Sequence, residues 1–171
     1  VCTPNHVWMT TAGNRETAEL SPGDRIWQPD QEIDRKKAPS WEPWKCRWLG
    51  LLLGDGCLRT TEIRLSAMKS AVRAWAAAVI PPWSHVRFHE KEIVLAGRCR
   101  NSGNPAMRWL RDMGLWGLGA HEKFLPSEVL KLAYESRADV LRGLWMTDGH
   151  RGEEVLSYAS VSFKLITGVK Q

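Results

Sequence analysis

The sequence predicts an α+β fold, and three observations carry that reading. Helix-length apolar segments interleave with short stretches of alternating polarity. The helices start and stop on recognisable cap and breaker residues. One helix pattern also occurs twice, as "WLGLLLGDG" at 48–56 and "LRGLWMTDG" at 141–149.

Residues 1 to about 28 have strand character, with a turn at "TAGN" and another at "SPGD" before Arg25-Ile26-Trp27. The stretch "QPDQEIDRKKAPS" is polar, carries two prolines, and reads as a linker. Ser40 is placed to cap a helix whose first turn accommodates Pro43 and which runs to Gly54. "CLRTTEIRLSA" alternates as a strand, and "KSAVRAWAAAVI" is a helix stopped by Pro81-Pro82. "HVRFH" and "EIVLAGRCR" form a hairpin through Glu90-Lys91. "NPAMRWLRDMGL" is a helix with Asn104 as cap and Pro105 in its first position. After a glycine-rich loop, "HEKFLPSEVLKLAY" holds a helix begun at Ser127, and "SRADVLRGLWMTDGH" holds another. A strand "EVLSYASVS" and a short closing helix complete the pattern.

The two repeated helices share glycine in third place, leucine in fourth and Asp-Gly at the end. Glycine costs a helix interior about 1 kcal/mol relative to alanine. A pair of helices crossing at Gly50 and Gly143 would account for that cost, because small residues let backbones approach. The pairing would also bring Asp55 and Asp148 side by side. From the repeat alone a second reading stays open, in which two unrelated core helices each end in Asp-Gly.

Composition bounds the rest. The chain has 171 residues, enough for one domain, or for one with a piece of another. With 43% hydrophobic residues it can bury a sizeable core. Lys and Arg number 24 against 19 Asp and Glu, a basic surplus that suits an anionic partner without demanding one. The longest apolar run is far too short for a bilayer, and the N-terminus carries no secretion signal. A cytoplasmic protein with no membrane contact is therefore expected. Cys2, Cys46, Cys57 and Cys99 are scattered, which fits reduced thiols better than a disulfide framework or a zinc site. Trp8, Trp27, Trp75, Trp109 and Trp145 fall in patterned segments and read as core.

The two repeated motifs resemble the signatures of the LAGLIDADG (DOD-type) homing endonucleases, and the element order resembles that family's αββαββα unit. "HEKFLP" resembles the family block with a lysine two residues before Leu-Pro, and "YASVSFKLITGVKQ" resembles the block that follows the second motif. "VCTPNHVWMTTAGNRETAELSPGDRIW" resembles the intein (Hint) segment that opens Thr-x-x-His and closes Leu-x-x-Gly-Asp. Together these name an intein with an inserted homing endonuclease. The implied domains are a Hint splicing fragment with linker at 1–35 and an endonuclease domain at 36–171. The first repeat would span about 40–115 and the second about 122–171.

Thr3 and His6 match the pair that polarises the N-terminal splice junction in inteins, where the step is an acyl shift. The nucleophile that begins an intein and the His-Asn pair that ends one have no counterpart here, so this chain is not expected to splice. Two strands and a helix of the second repeat are also wanting, which implies a fragment. The host protein flanking it is not legible.

Two carboxylates held close together repel unless a cation lies between them. Hard oxygen ligands favour Mg2+, which keeps waters and accepts phosphate oxygens, and such a site can activate water for phosphodiester hydrolysis. The resemblance implies catalytic Asp55, Asp148 and Lys123, and a Mg2+ site made by Asp55, Asp148, Gly54 and Thr147. It further implies a monomer with internal pseudo-two-fold symmetry if complete, a nuclease (hydrolase) cutting both strands of a long specific DNA site. His121 and His150 lie near the motifs, but a polar surface role is their default.

In "HVRFH", Val86 and Phe88 point one way while Arg87 and His89 point the other. With Arg59, Arg64, Arg98 and Arg100 on neighbouring strands, these make a basic face for double-stranded DNA, where arginine reads guanine or contacts phosphate. An ordinary solvated sheet face is the competing reading. Two further functions compete with the endonuclease: a LAGLIDADG-type binding module, maturase- or regulator-like, and a decayed intein remnant without catalysis.

Overall fold

A computed structural model of the chain describes residues 3–10, 13–26, 38–59, 62–97, 104–152 and 156–170. Two compact units divide it, Val1–Asp34 and Arg35–Gln171.

The first unit is built on a hairpin of β1 (Val7–Thr10) and β2 (Gly13–Glu16), antiparallel with Trp8 opposite Arg15. Gly13 takes φ +106°, a backbone that only glycine adopts without strain, and so opens the second strand. A single 3-10 turn at Thr17–Glu19 follows, closed by a reciprocal cap between Glu16 and Glu19. Trp8 Nε1 donates to Thr17 Oγ1 at 2.9 Å, so this tryptophan is half-buried with a polar anchor. The "SPGD" turn is held by the Ser21 amide donating to the Asp24 carboxylate. Trp27 and most of the expected linker lie outside the described residues.

In the second unit, the tail of that linker is not free chain. The Pro39 carbonyl accepts from the Ala133 amide, and the Trp41 amide donates to Ser136 Oγ. Helix α1 (Pro43–Asp55) begins after this strap, with Glu42 as N-cap and Pro43 in the first turn. Ser40 is therefore not the cap: the fixed φ of Pro43 sets the start of the helix. Trp44, Cys46 and Trp48 through Leu53 are all buried, so α1 is apolar nearly all round and runs through the core.

The expected strand after α1 is broken into β3 (Gly56–Cys57) and β4 (Ile63–Ser66). Helix α2 (Ser70–Ala78) ends before the two prolines, and β5 (Ser84–Phe88) and β6 (Glu92–Gly97) form the hairpin through Glu90-Lys91. These strands make one antiparallel sheet in the order β3-β4-β6-β5. Ile63, Leu65, Ile93 and Leu95 turn inward to the core, and Val86 packs against it. Helix α3 (Pro105–Asp112) has the cap its sequence predicts, with Asn104 accepting from the Ala106 amide at 3.0 Å.

The helix expected from Ser127 and the further one expected in "SRADVLRGLWMTDGH" are both present, with shifted bounds. Helix α4 (Ser127–Leu130) is one turn long, and α5 (Tyr134–Asp148) starts afresh after Ala133. A hairpin of β7 (Gly149–Arg151) and β8 (Leu156–Tyr158) follows, then α6 (Phe163–Lys170). The packing centre is the crossing of α1 and α5. No helix among the described residues is long and apolar enough to cross a membrane.

Beside α1 the tryptophans cluster: Trp44 meets Trp83 and Trp109 edge to face at 5.3 and 5.4 Å. Trp48 donates to the Val79 carbonyl, and the Arg47 guanidinium lies 4.0 Å over Trp75. Trp145 instead stacks on Tyr158. Cys46 is a buried free thiol and Cys57 an exposed one, while Cys2 and Cys99 lie outside the described residues.

Candidate functional site at the paired helix ends

Helices α1 and α5 touch through backbone. A Cβ built on Gly50 would overlap the Val140 carbonyl oxygen and lie 2.9 Å from the Gly143 Cα; one built on Gly143 would lie 2.8 Å from the Gly50 Cα. One turn further on, a Cβ on Gly54 would overlap Thr147 and lie 3.3 Å from an Asp148 carboxylate oxygen. The helices therefore remain in contact to their C-termini. Asp55 and Asp148 both line a cleft of about 420 Å³ there, with Leu53, Gly54, Ala120, Lys123 and Ser160.

Lys123 reaches this cleft from the loop before α4 and is only 4% exposed. Its Nζ donates to the Gly54 carbonyl at 2.7 Å, near the end of α1, and to the Leu52 carbonyl at 3.0 Å, which also accepts from the Gly56 amide. Burial pushes the Lys123 pKa down to about 8, against the opposing pull of Asp148, Asp55 and Cys57. Asp148 is raised above the usual carboxylate range, first by burial and then by Asp55, with Lys123 and Lys69 working against the rise. Tyr158, behind Asp148, is pushed up to about 12, chiefly by burial.

Lys123 is also fixed through its backbone. Ser162 Oγ donates to the Lys123 carbonyl and accepts from the Leu165 amide at 3.2 Å, so one fully buried serine starts α6 and pins the loop.

The sequence reading misses Lys69. Its Nζ donates to the Thr147 carbonyl at 2.8 Å and the Met146 carbonyl at 3.3 Å, closing the end of α5 as Lys123 closes the end of α1. A signal for it exists. Lys69 stands at the N-cap of α2 and makes no side-chain cap there, a position where a cation faces the positive end of the helix dipole.

Thr147 and Gly54 thus offer main-chain carbonyls, but each already accepts from a lysine. The Thr147 hydroxyl points back along α5, donating to the Leu144 carbonyl at 2.8 Å. His121 and His150 are both exposed.

The sheet face differs from the expected basic surface. Arg64 on β4 and Arg87 on β5 do point outward, both opposite Val94, which is buried although it is not part of the main core cluster. Glu62 pairs with both arginines and Glu92 pairs with Arg64 at 2.9 Å, so the cations are balanced in place. Arg59 lies beyond β3, not on a strand, and pairs with Glu122 at 2.7 Å over Gly119. His89 follows β5 and is exposed. Arg98 and Arg100 lie outside the described residues.

Thr3 and His6 are exposed and adjacent in the first unit, where the His6 amide donates to the Thr3 carbonyl at 3.1 Å. The His6 ring lies edge-on to Trp8 at 4.8 Å.

No protein-family model matches the chain. Curated relatives do. The chain is 29% identical to the replicative DNA helicase DnaB of Rhodothermus marinus over 191 positions, covering 98% of this chain and 20% of that protein. It is 29% identical to the replicative DNA helicase DnaB of a Nostoc species, and 27% to that of a Synechocystis species, each again over 98% of this chain. The chain spans about a fifth of the length of these relatives.

These names overturn the expectation of an intein carrying a LAGLIDADG homing endonuclease. Relatives aligned along nearly the whole chain are named as replicative helicases, not as inteins, splicing proteins or site-specific endonucleases. The competing readings, a maturase- or regulator-like module and a decayed intein remnant, fit those names no better. The physical reason for the error is that short motifs of glycine, leucine and Asp-Gly record how two helices cross. They do not record which reaction, if any, the crossing serves.

Proposed function

We propose that this chain is a DNA-contacting segment of a replicative-helicase-type protein, whose paired helix ends hold a divalent cation against a nucleic-acid phosphate. The observation that carries the reading is the convergence of Asp55, Asp148 and buried Lys123 in one cleft. The names of the relatives support DNA as the partner and membership of an enzyme chain. The residues support a phosphate-positioning role for this segment, with unwinding left to the longer protein.

The donor set suits a hard cation. Two carboxylates side by side, one already raised by burial and by its neighbour, are relieved by a charge of +2 between them. Mg2+ is the expected ion, held by Asp55 and Asp148, because it binds through one or two carboxylates and leaves positions for phosphate oxygens. When bound, it supplies a positive centre that neutralises phosphate charge. Lys123 adds a second positive charge and holds the end of α1, which fixes the direction of Asp55. Gly54 leaves room for the Asp148 carboxylate.

Fluorescence anisotropy with labelled duplex and single-stranded DNA tests this reading. Binding that weakens steeply between about 50 and 200 mM salt is expected. Failure to bind either strand form at low salt overturns it.

A further inference from the structure

The two lysines at the helix ends form a reciprocal arrangement. Lys123, from the loop leading into the second repeat, closes α1 of the first. Lys69, from the first repeat, closes α5 of the second. The carbonyl next to each aspartate, that of Gly54 and that of Thr147, is taken by an ammonium at 2.7 and 2.8 Å.

Those carbonyls belong to the residues immediately before Asp55 and Asp148, and would otherwise be ready ligands for a hard cation. A divalent ion on the same oxygen would stand within a few Å of the ammonium, where like charges repel strongly in a partly buried site. Lys123 cannot swing away at no cost, since it is almost fully buried and its backbone is tied to Ser162.

We infer that Lys69 and Lys123 occupy the two main-chain ligand positions of the centre, so that a divalent cation enters through the Asp55 and Asp148 carboxylates alone and each chain takes one. This rests on the reading of the centre as a cation site. Lys69 then acts as an internal counter-cation that excludes a second ion, beyond its part in closing α5.

Titration of the full chain with Mn2+, following free ion by electron paramagnetic resonance, tests the inference. The wild-type chain is expected to bind one ion. Lys69→Met keeps the aliphatic stem, removes the charge and frees the Thr147 carbonyl. It should admit a second ion or tighten the first by about threefold to tenfold. Lys69→Arg, which keeps both the charge and the hydrogen-bond donors, should restore wild-type behaviour, with circular dichroism showing all three proteins folded. Two ions on the wild-type chain overturn the inference, whether or not the variants fold. So does unchanged or weaker Mn2+ binding by Lys69→Met, the result expected if Lys69 only positions Asp148. No Mn2+ binding by the wild type at millimolar concentration overturns the cation reading itself.

Discussion

Gly50 and Gly143 meet backbone to backbone, each so near the other that neither position has space for a methyl group. The contact sets the spacing of α1 and α5, and so the distance between everything at their ends. Gly50→Ala should lower stability by about 1–3 kcal/mol, because the added carbon meets the Val140 carbonyl and not a flexible side chain. Chemical denaturation measures this, with Gly143→Ala giving a loss of the same order. A Gly50→Ala protein as stable as wild type would show that the helices slide apart freely.

Lys123 predicts a pH dependence of stability. Its pKa in the folded protein is about 8, below the ordinary value of 10.5. Between those values the unfolded chain holds a proton that the native one has released, so stability rises with pH across that window. Lys123→Met should flatten the rise. Tyr158 acts in the opposite sense at higher pH: its value of about 12 keeps the native phenol protonated while the unfolded one ionises above about 10, so stability falls there. Equal slopes between pH 8 and 10 in wild type and Lys123→Met would contradict the assignment.

The sheet arginines predict how DNA contact depends on charge. Arg64 and Arg87 share Glu62, which must release them before they can meet phosphate. Glu62→Gln should therefore tighten duplex binding several-fold at low salt. The double change Arg64→Ala with Arg87→Ala should weaken it and reduce the slope of log K against log salt by about 2, roughly 0.9 for each lost phosphate contact. Unchanged slopes would remove this face from the DNA surface.

Local rules make much of the architecture legible in the sequence. Asn104 followed by Pro105 starts α3 as capping chemistry dictates. The shared glycine, leucine and Asp-Gly positions put Gly50 opposite Gly143 because each lies the same number of residues before the end of its own helix. Where tertiary contacts decide, the sequence is silent or misleading. Ser40 looks like a cap, yet the strap around it is held by Ala133 and Ser136 on the far side of the chain. The segment 57–66 alternates as one strand, yet Cys57 pairs back on Arg64 while Ile63–Ser66 pair with β6. Lys69 belongs to the site through two carbonyls remote in sequence, and its place at the start of α2 marks it as unusual without naming those partners. Arg64 and Arg87 read as free cations because Glu62 and Glu92 join them only once the strands are in register. Function was the least legible part, since helix-crossing motifs describe packing.

The most direct test of the central claim is the effect of Mg2+ on duplex DNA binding by wild type, Asp55→Asn and Asp148→Asn. Millimolar Mg2+ should tighten binding by the wild-type chain and leave both variants at their metal-free affinity. If Mg2+ changes wild type and variants alike, or none of them, Asp55 and Asp148 do not hold a cation against DNA.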